Sequence, residues 1–136
     1  MASKKVSKEI STSSLVDVKP ITDNQKIIFE TWKKNKNQFL FGCAGTGKTF
    51  VSLYLALQDV LDLKNPADKV ILVRSLIPTR EIGFLPGDEE DKAALYQVPY
   101  QNMVRFMFQM PNEQSFNNLY DRLKSQGSLY FLSTSF

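Results

Sequence analysis

Apolar and polar positions divide the chain after residue 20 into segments with helical periodicity and short apolar runs. Residues 23–35 have their apolar positions on one side and a threonine in position to cap the start, which predicts an amphipathic helix. Residues 48 to about 63 lack Gly and Pro and are apolar on nearly all sides, which predicts a buried helix. Two more amphipathic helices are predicted at 100–110 and at 113–126, the second ended by a glycine C-cap.

Short runs of apolar and β-branched residues predict three strands, which are Gln38–Phe41, Lys69–Arg74 and Ser128–Ser133. The first two, joined through a helix, predict a right-handed strand–helix–strand unit and an α/β fold. Residues 75–99 hold three prolines and two glycines and predict an irregular connection. Its acidic run, Asp88–Asp91, is expected to be solvated loop or the first turn of a helix.

One motif carries chemistry, because the residues from Gly42 to Thr49 match the pattern GxxxxGK[ST] between a predicted strand and a predicted helix. Glycines let successive backbone N–H groups point into one concavity, where phosphate oxygens bind at a helix N-terminus. Lys48 is expected to stabilise phosphate charge, and the Thr49 hydroxyl is expected to bind Mg²⁺. The predicted nucleotide-binding residues of this loop are Gly42, Cys43, Ala44, Gly45, Thr46, Gly47, Lys48 and Thr49.

Composition narrows the classes of function. The chain of 136 residues suits one domain, predicted over 20–136, after a Lys- and Ser-rich tail at 1–19 that is expected to be disordered. A single cysteine excludes an internal disulfide, and the lack of histidine excludes a Ser–His–Asp triad and histidine-bound zinc. No membrane span or signal peptide is found, which predicts a cytoplasmic protein without membrane association.

The charge is uneven, because residues 1–36 carry eight lysines against four acidic residues while the whole chain has a net charge of +3. This excess fits either a solvated tail with one exposed helix face or a contact with nucleic-acid phosphates. Homo-oligomerisation is left open by the sequence.

These motifs together resemble the PhoH family, a group of P-loop proteins akin to the nucleotide-binding core of superfamily 1 helicases. The resemblance rests on four segments, which are Thr22–Gln25, FGCAGTGKT at 41–49, KVILVR at 69–74 and GFLPGD at 83–88 with Lys92. It implies a P-loop NTPase-type parallel sheet flanked by helices. It covers the chain from about Ile21 onward and is similar to the N-terminal part of a PhoH-like domain, of the short kind found in bacteria and bacteriophages. Ser75 departs from the family, which commonly has proline after the second strand.

The resemblance implies ATP and Mg²⁺ as ligands and, for a full-length form, ATP hydrolysis coupled to RNA or single-stranded nucleic acid. It also implies that Gln25 contacts the adenine edge of the nucleotide through its side-chain amide. The cellular setting implied is the cytoplasm of a bacterium or of a phage-infected host.

Hydrolysis needs an acidic residue that ends an apolar strand and helps to hold Mg²⁺. We find none in this sequence, since Asp62 lies inside a predicted helix and Glu81 and Asp88 do not end a strand. The chain is therefore expected to lack this Walker B region, to be incomplete at its C-terminus, and to bind nucleotide at most. Two alternatives stay open, a small-molecule or nucleotide kinase and an inactive truncated fragment.

Overall fold

The structure, a computed structural model, describes residues 10, 12–42, 47–74 and 89–133, and for 89–96 and 133 the backbone alone. After a short 3-10 turn at Thr12–Ser14, the elements in order are α1 Asp23–Lys33, α2 Lys48–Leu61, β1 Val70–Arg74, α3 Glu89–Phe108, α4 Glu113–Ser125 and β2 Leu129–Ser133. This is a mixed helical and strand architecture with a small parallel sheet. It divides into two compact units, Met1–Asp68 and Lys69–Phe136.

The first unit is built around α2, whose predicted burial is confirmed. Its buried side chains are Val51, Leu53, Tyr54, Leu55, Leu57, Val60 and Leu61. Helix α1 packs beside it and starts, as predicted, at a capped threonine, although none of its own side chains is fully buried. The apolar side of α1 therefore covers α2 only in part.

The second half of the predicted tail contacts α2. The hydroxyl of Tyr54 donates to the carbonyl of Val16 at 2.8 Å and accepts from the N–H of Val18 at 3.2 Å. Ile10 is buried, and the 3-10 turn packs on α2. In the described part of the tail, a few apolar side chains and two backbone groups thus contact α2, and the expected disorder of residues 1–19 stays a prediction. Residues 1–9 and 11 lie outside the described residues.

The predicted strand at Gln38–Phe41 is wrong, since no strand is formed there. Phe39 and Phe41 are 87% and 84% exposed, and their ring centroids lie 6.0 Å apart. A strand exists only as one side of a hydrogen-bonded ladder, and within the described residues no other strand pairs with this segment. The apolar composition of a buried strand is present, but among the described residues the pairing with another strand is not.

In the second unit, β1 and β2 form a two-stranded parallel sheet, with Val70 opposite Leu129 and Arg74 opposite Ser133. Val70 and Leu129 are buried, as expected for one face of the sheet. The opposite face is apolar and exposed, and consists of Ile71, Val73, Tyr130 and Leu132. Both predicted strands are confirmed to within one residue.

Helix α3 begins at Glu89, eleven residues before the predicted start, and contains Pro99. The residues before that proline include Ala93, Ala94 and Leu95, which are strong helix formers, so the helix continues through a position that normally interrupts it. The acidic residues from Glu89 onward lie in its first turn, which is one of the two expectations for that run. The GFLPGD segment at 83–88 lies outside the described residues.

Helix α4 starts where predicted because the side chain of Asn112 accepts a hydrogen bond from the N–H of Ser115 at 2.8 Å. It ends before Gly127, whose φ of +81° is the left-handed conformation expected after a helix. Helix α4 packs on α3 and on β2. On its buried face, burial raises the pKa of Tyr120 to about 12, and the Lys124 ammonium lies 4.8 Å from the centre of the same ring.

Candidate functional site

The described part of the glycine-rich loop consists of Gly42 and the residues from Gly47 onward. Helix α2 begins at Lys48, directly after Gly47, so the predicted loop-to-helix junction is confirmed in position. Gly47 has a φ of +83°, a conformation that residues with a Cβ atom rarely adopt. The predicted binding residues Cys43, Ala44, Gly45 and Thr46 lie outside the described residues.

Lys48 links the two ends of this loop. Its Nζ donates a hydrogen bond of 2.7 Å to the carbonyl oxygen of Gly42. The ammonium group is therefore held beside the loop and close to the N-terminus of α2, where the helix dipole also favours negative charge. Thr49, the predicted Mg²⁺ ligand, is exposed in the first turn of α2.

Gln25 lies beside the same junction, and its predicted contact with the nucleotide stays a prediction. A Cβ atom built on Gly47 stands 3.5 Å from the Nε2 of Gln25, so the two residues are neighbours. The Oε1 of Gln25 accepts from the backbone N–H of Ile21 at 2.8 Å and more weakly from that of Thr22 at 3.4 Å. In return, the Thr22 hydroxyl accepts from the N–H of Gln25 at 3.1 Å, which completes a capping box at the start of α1.

The polar link between α1 and α2 was not predicted. The indole Nε1 of Trp32 donates to Oδ2 of Asp59 at 2.7 Å. Both residues line an open cavity of about 540 Å³, whose wall also includes Asn35, Gln38 and Ser52. A signal was present in the sequence, because Asp59 is the only acidic residue of a largely apolar helix.

Two further observations limit the chemistry. Across the described residues, no group of three or more Cys, Asp or Glu side chains is arranged to hold a metal ion. Within the same residues, no helix combines the length and the apolar character needed to cross a membrane.

Comparison with known proteins gives a consistent set of relatives. A family profile described as "PhoH-like protein" matches residues 17–125. The chain is 36% identical over 92 residues to a "PhoH-like protein" of Synechocystis sp., a match covering 66% of this chain and 27% of the relative. It is also 36% identical over 70 residues to "Protein PhoH2" of Bacillus subtilis, covering 51% of this chain and 16% of that protein.

A "PhoH-like protein" of Bacillus subtilis is 38% identical over 80 residues, which cover 57% of this chain and 24% of the relative. The chain thus spans about a quarter or less of the length of these relatives. No solved structure gives a significant match.

Proposed function

Because this chain belongs to the PhoH family, we propose that it binds ATP with Mg²⁺ at the loop from Gly42 to Thr49, within a P-loop NTPase-type fold. The observation that carries the proposal is the bond from the Lys48 ammonium to the Gly42 carbonyl across the loop, directly before the N-terminus of α2. An anion at this position would meet a positive charge and the N-terminal dipole of α2 together.

Each residue has a distinct role in this proposal. In this proposal Lys48 exchanges its bond to the Gly42 carbonyl for β- and γ-phosphate oxygens, and the support is that its ammonium already lies at one end of the loop. Gly47 supplies the left-handed turn into α2 that lets the backbone approach the phosphates. The Thr49 hydroxyl and the phosphate oxygens would hold Mg²⁺, whose charge stabilises the polyphosphate.

We extend the proposal to activity. In a full-length protein, where the nucleotide site includes a strand that ends in an acidic residue, we propose that ATP is hydrolysed and that the hydrolysis is coupled to RNA or single-stranded nucleic acid. What supports the nucleic-acid part is charge. Lys33, Lys34 and Lys36 are exposed at the end of α1, and none of them forms an ion pair with any other residue that the structure describes. When lysines bind a phosphate backbone, they release the counterions that had condensed on the nucleic acid. The affinity for RNA should therefore fall steeply as the salt concentration rises.

The binding proposal is tested by titrating ATP and Mg²⁺ into the wild-type chain and into Lys48→Ala, with heat or fluorescence as the signal. We expect Lys48→Ala to bind at least ~10-fold more weakly, since a charge-assisted contact to phosphate is lost. Lys64→Ala is the matched control, because Lys64 is exposed beyond the far end of α2. This variant should bind ATP with wild-type affinity. Equal ATP affinity in Lys48→Ala and in the wild type would reject the site.

The same preparation separates a kinase from an ATP-binding protein. With a nucleoside or small alcohol present as acceptor, we expect no phosphorylated product. Transfer of the γ-phosphate to such an acceptor would favour the kinase alternative.

A further inference from the structure

We propose that the cavity lined by α1, α2 and the segment between them binds a base of single-stranded nucleic acid. The base stacks on the indole of Trp32, while Lys33 and Lys36 hold the adjoining phosphates. This inference rests on the nucleic-acid part of the proposed function and gives that partner a binding site. The cavity uses none of the residues that are proposed above to bind ATP.

The first step concerns the shape of the cavity. Its volume of about 540 Å³ is in the range of sites that take small organic molecules. A second cavity of about 260 Å³ shares Trp32, Asn35 and Asp59 with the first. The indole therefore borders open space in both cavities, so a strand whose base packs on the indole has room to continue past it.

The second step concerns the indole. Trp32 is half-buried, and its Nε1 donates to Oδ2 of Asp59 at 2.7 Å. This bond holds the ring in one orientation, so little side-chain entropy is lost when a ligand packs against it. Within the described residues, no other aromatic ring and no cation stacks on this indole. An aromatic side chain of this kind is the usual platform for the bases of single strands.

The third step concerns charge. Lys36 lines the larger cavity and Lys33 lines the smaller one, and both side chains are exposed. Phosphates on the two sides of a stacked base would each meet one of these lysines. The carboxylate of Asp59 and the C-terminal end of α1 are negative, so a phosphate alone is held weakly here. The base must therefore supply part of the affinity, which distinguishes this site from a purely electrostatic contact.

The fourth step concerns the polar groups of the wall. Three amide side chains, those of Asn35, Asn37 and Gln38, line the larger cavity. The Nε2 of Gln38 donates to the carbonyl of Ile28 at 3.2 Å, and its Oε1 has no partner among the described residues. Amides offer donors and acceptors, as the edges of nucleobases do. A purely apolar ligand would leave these groups unpaired, so the wall favours a heteroaromatic ring.

The test compares an oligothymidylate with an abasic single strand that has the same number of phosphates. Trp32 is the only tryptophan of the chain, so its fluorescence reports on stacking directly. In the absence of ATP, we expect the oligothymidylate to quench this fluorescence and to bind at least ~10-fold more tightly than the abasic strand. Salt should weaken the binding of both strands, since both contact the lysines.

Two variants separate stacking from the hydrogen bond of Trp32. Trp32→Phe and Trp32→Leu both lose the bond to Asp59, but only phenylalanine keeps an aromatic face. With a labelled oligothymidylate and anisotropy as the signal, Trp32→Phe should bind within about threefold of wild type and Trp32→Leu at least ~10-fold more weakly. Neither change should alter the affinity for the abasic strand. Circular dichroism checks folding, and if Trp32→Leu fails to fold, the comparison of the two strands on the wild type decides.

Each outcome has a definite meaning. A preference for the oligothymidylate, with quenching and with the loss confined to Trp32→Leu, supports the base site. Equal affinities for the two strands without quenching overturn it and reduce the contact to the lysines alone. Equal losses in Trp32→Phe and Trp32→Leu overturn it by assigning the effect to the bond with Asp59. If the wild type binds neither strand, the inference fails together with the nucleic-acid part of the proposed function, whereas ATP binding is judged by its own titration.

Discussion

The indole Nε1 of Trp32 lies 2.7 Å from Oδ2 of Asp59, and the hydrogen bond between them joins α1 to α2. Both side chains are half-buried, so the carboxylate is partly shielded from water. This bond positions the helix that carries Gln25 relative to the helix that begins at Lys48. It therefore contributes to the geometry of the candidate site from a full helix length away.

Replacing the indole donor of Trp32 should weaken the contact between α1 and α2. We expect Trp32→Phe to lower the free energy of unfolding by about 1–2 kcal/mol, since a hydrogen bond to a charged group is lost but water can still reach Asp59. Urea unfolding followed by circular dichroism measures this. Asp59→Asn keeps an acceptor and should lose less than half as much. In that variant Trp32, which is the only tryptophan, reports its surroundings by fluorescence. A Trp32→Phe protein as stable as wild type would contradict this role.

The left-handed turn at Gly47 predicts a paired result. Gly47→Ala should lose about 1–2 kcal/mol of stability, because alanine is strained at a φ of +83°. Gly127→Ala is a matched control with a φ of +81° outside the site, and it should lose a similar amount. Only Gly47→Ala should also lose ATP affinity. Thermal unfolding and ATP titration of both variants make the comparison. Equal ATP affinities in the two variants would show that the turn at Gly47 is not needed for binding.

Tyr54 predicts local rather than global loosening. In Tyr54→Phe, the backbone groups of Val16 and Val18 lose their partner, at a cost of about 1–2 kcal/mol for two bonds. Hydrogen exchange should accelerate in residues 12–19 and stay slow in the body of α2. Tyr130→Phe, at an exposed tyrosine, is the control. Uniform acceleration across α2 would show that the hydroxyl supports the whole unit instead.

Tyr120 predicts a pH dependence at the alkaline end. Burial raises its pKa to about 12, above the ordinary value near 10 of an unfolded chain. The unfolded state therefore loses the phenol proton first, and stability that is fully present below pH ~10 falls by up to about 2–3 kcal/mol as pH rises to ~12. Urea unfolding at several alkaline pH values measures the slope.

Tyr120→Phe should flatten that slope. At pH 7 its stability should be close to that of the wild type, because the buried Tyr120 hydroxyl lies near Gln101 without forming a well-aligned hydrogen bond among the described residues. An unchanged alkaline slope in this variant would assign the pH dependence to other groups.

The sequence predicted those elements whose limits are set locally. Thr22 and Gly127 mark helix ends through their own side chain or backbone conformation, so a pattern in a few residues was enough. Helix α2 starts at Lys48, as predicted, because the glycine before it sets the turn into the helix. The binding role of Lys48 stays a prediction.

The errors occur where the outcome depends on a distant partner. Phe39 and Phe41 have strand-like composition, but the described residues include no strand to pair with them. The hydrogen bond between Tyr54 and Val16 was likewise not predicted, because the two residues lie far apart along the chain.

The register of the sheet also has a kinetic consequence. Val70 pairs with Leu129, so the entire segment containing α3 and α4 must be enclosed before the first bond of the ladder forms. Closing so long a loop costs entropy, whereas α1 and α2 form from neighbouring residues. We therefore expect two phases in refolding, with helical signal recovered first and protection of the β1 and β2 amides acquired later. During that interval the strand segments are unpaired, which makes refolding at low protein concentration the favourable condition for this chain.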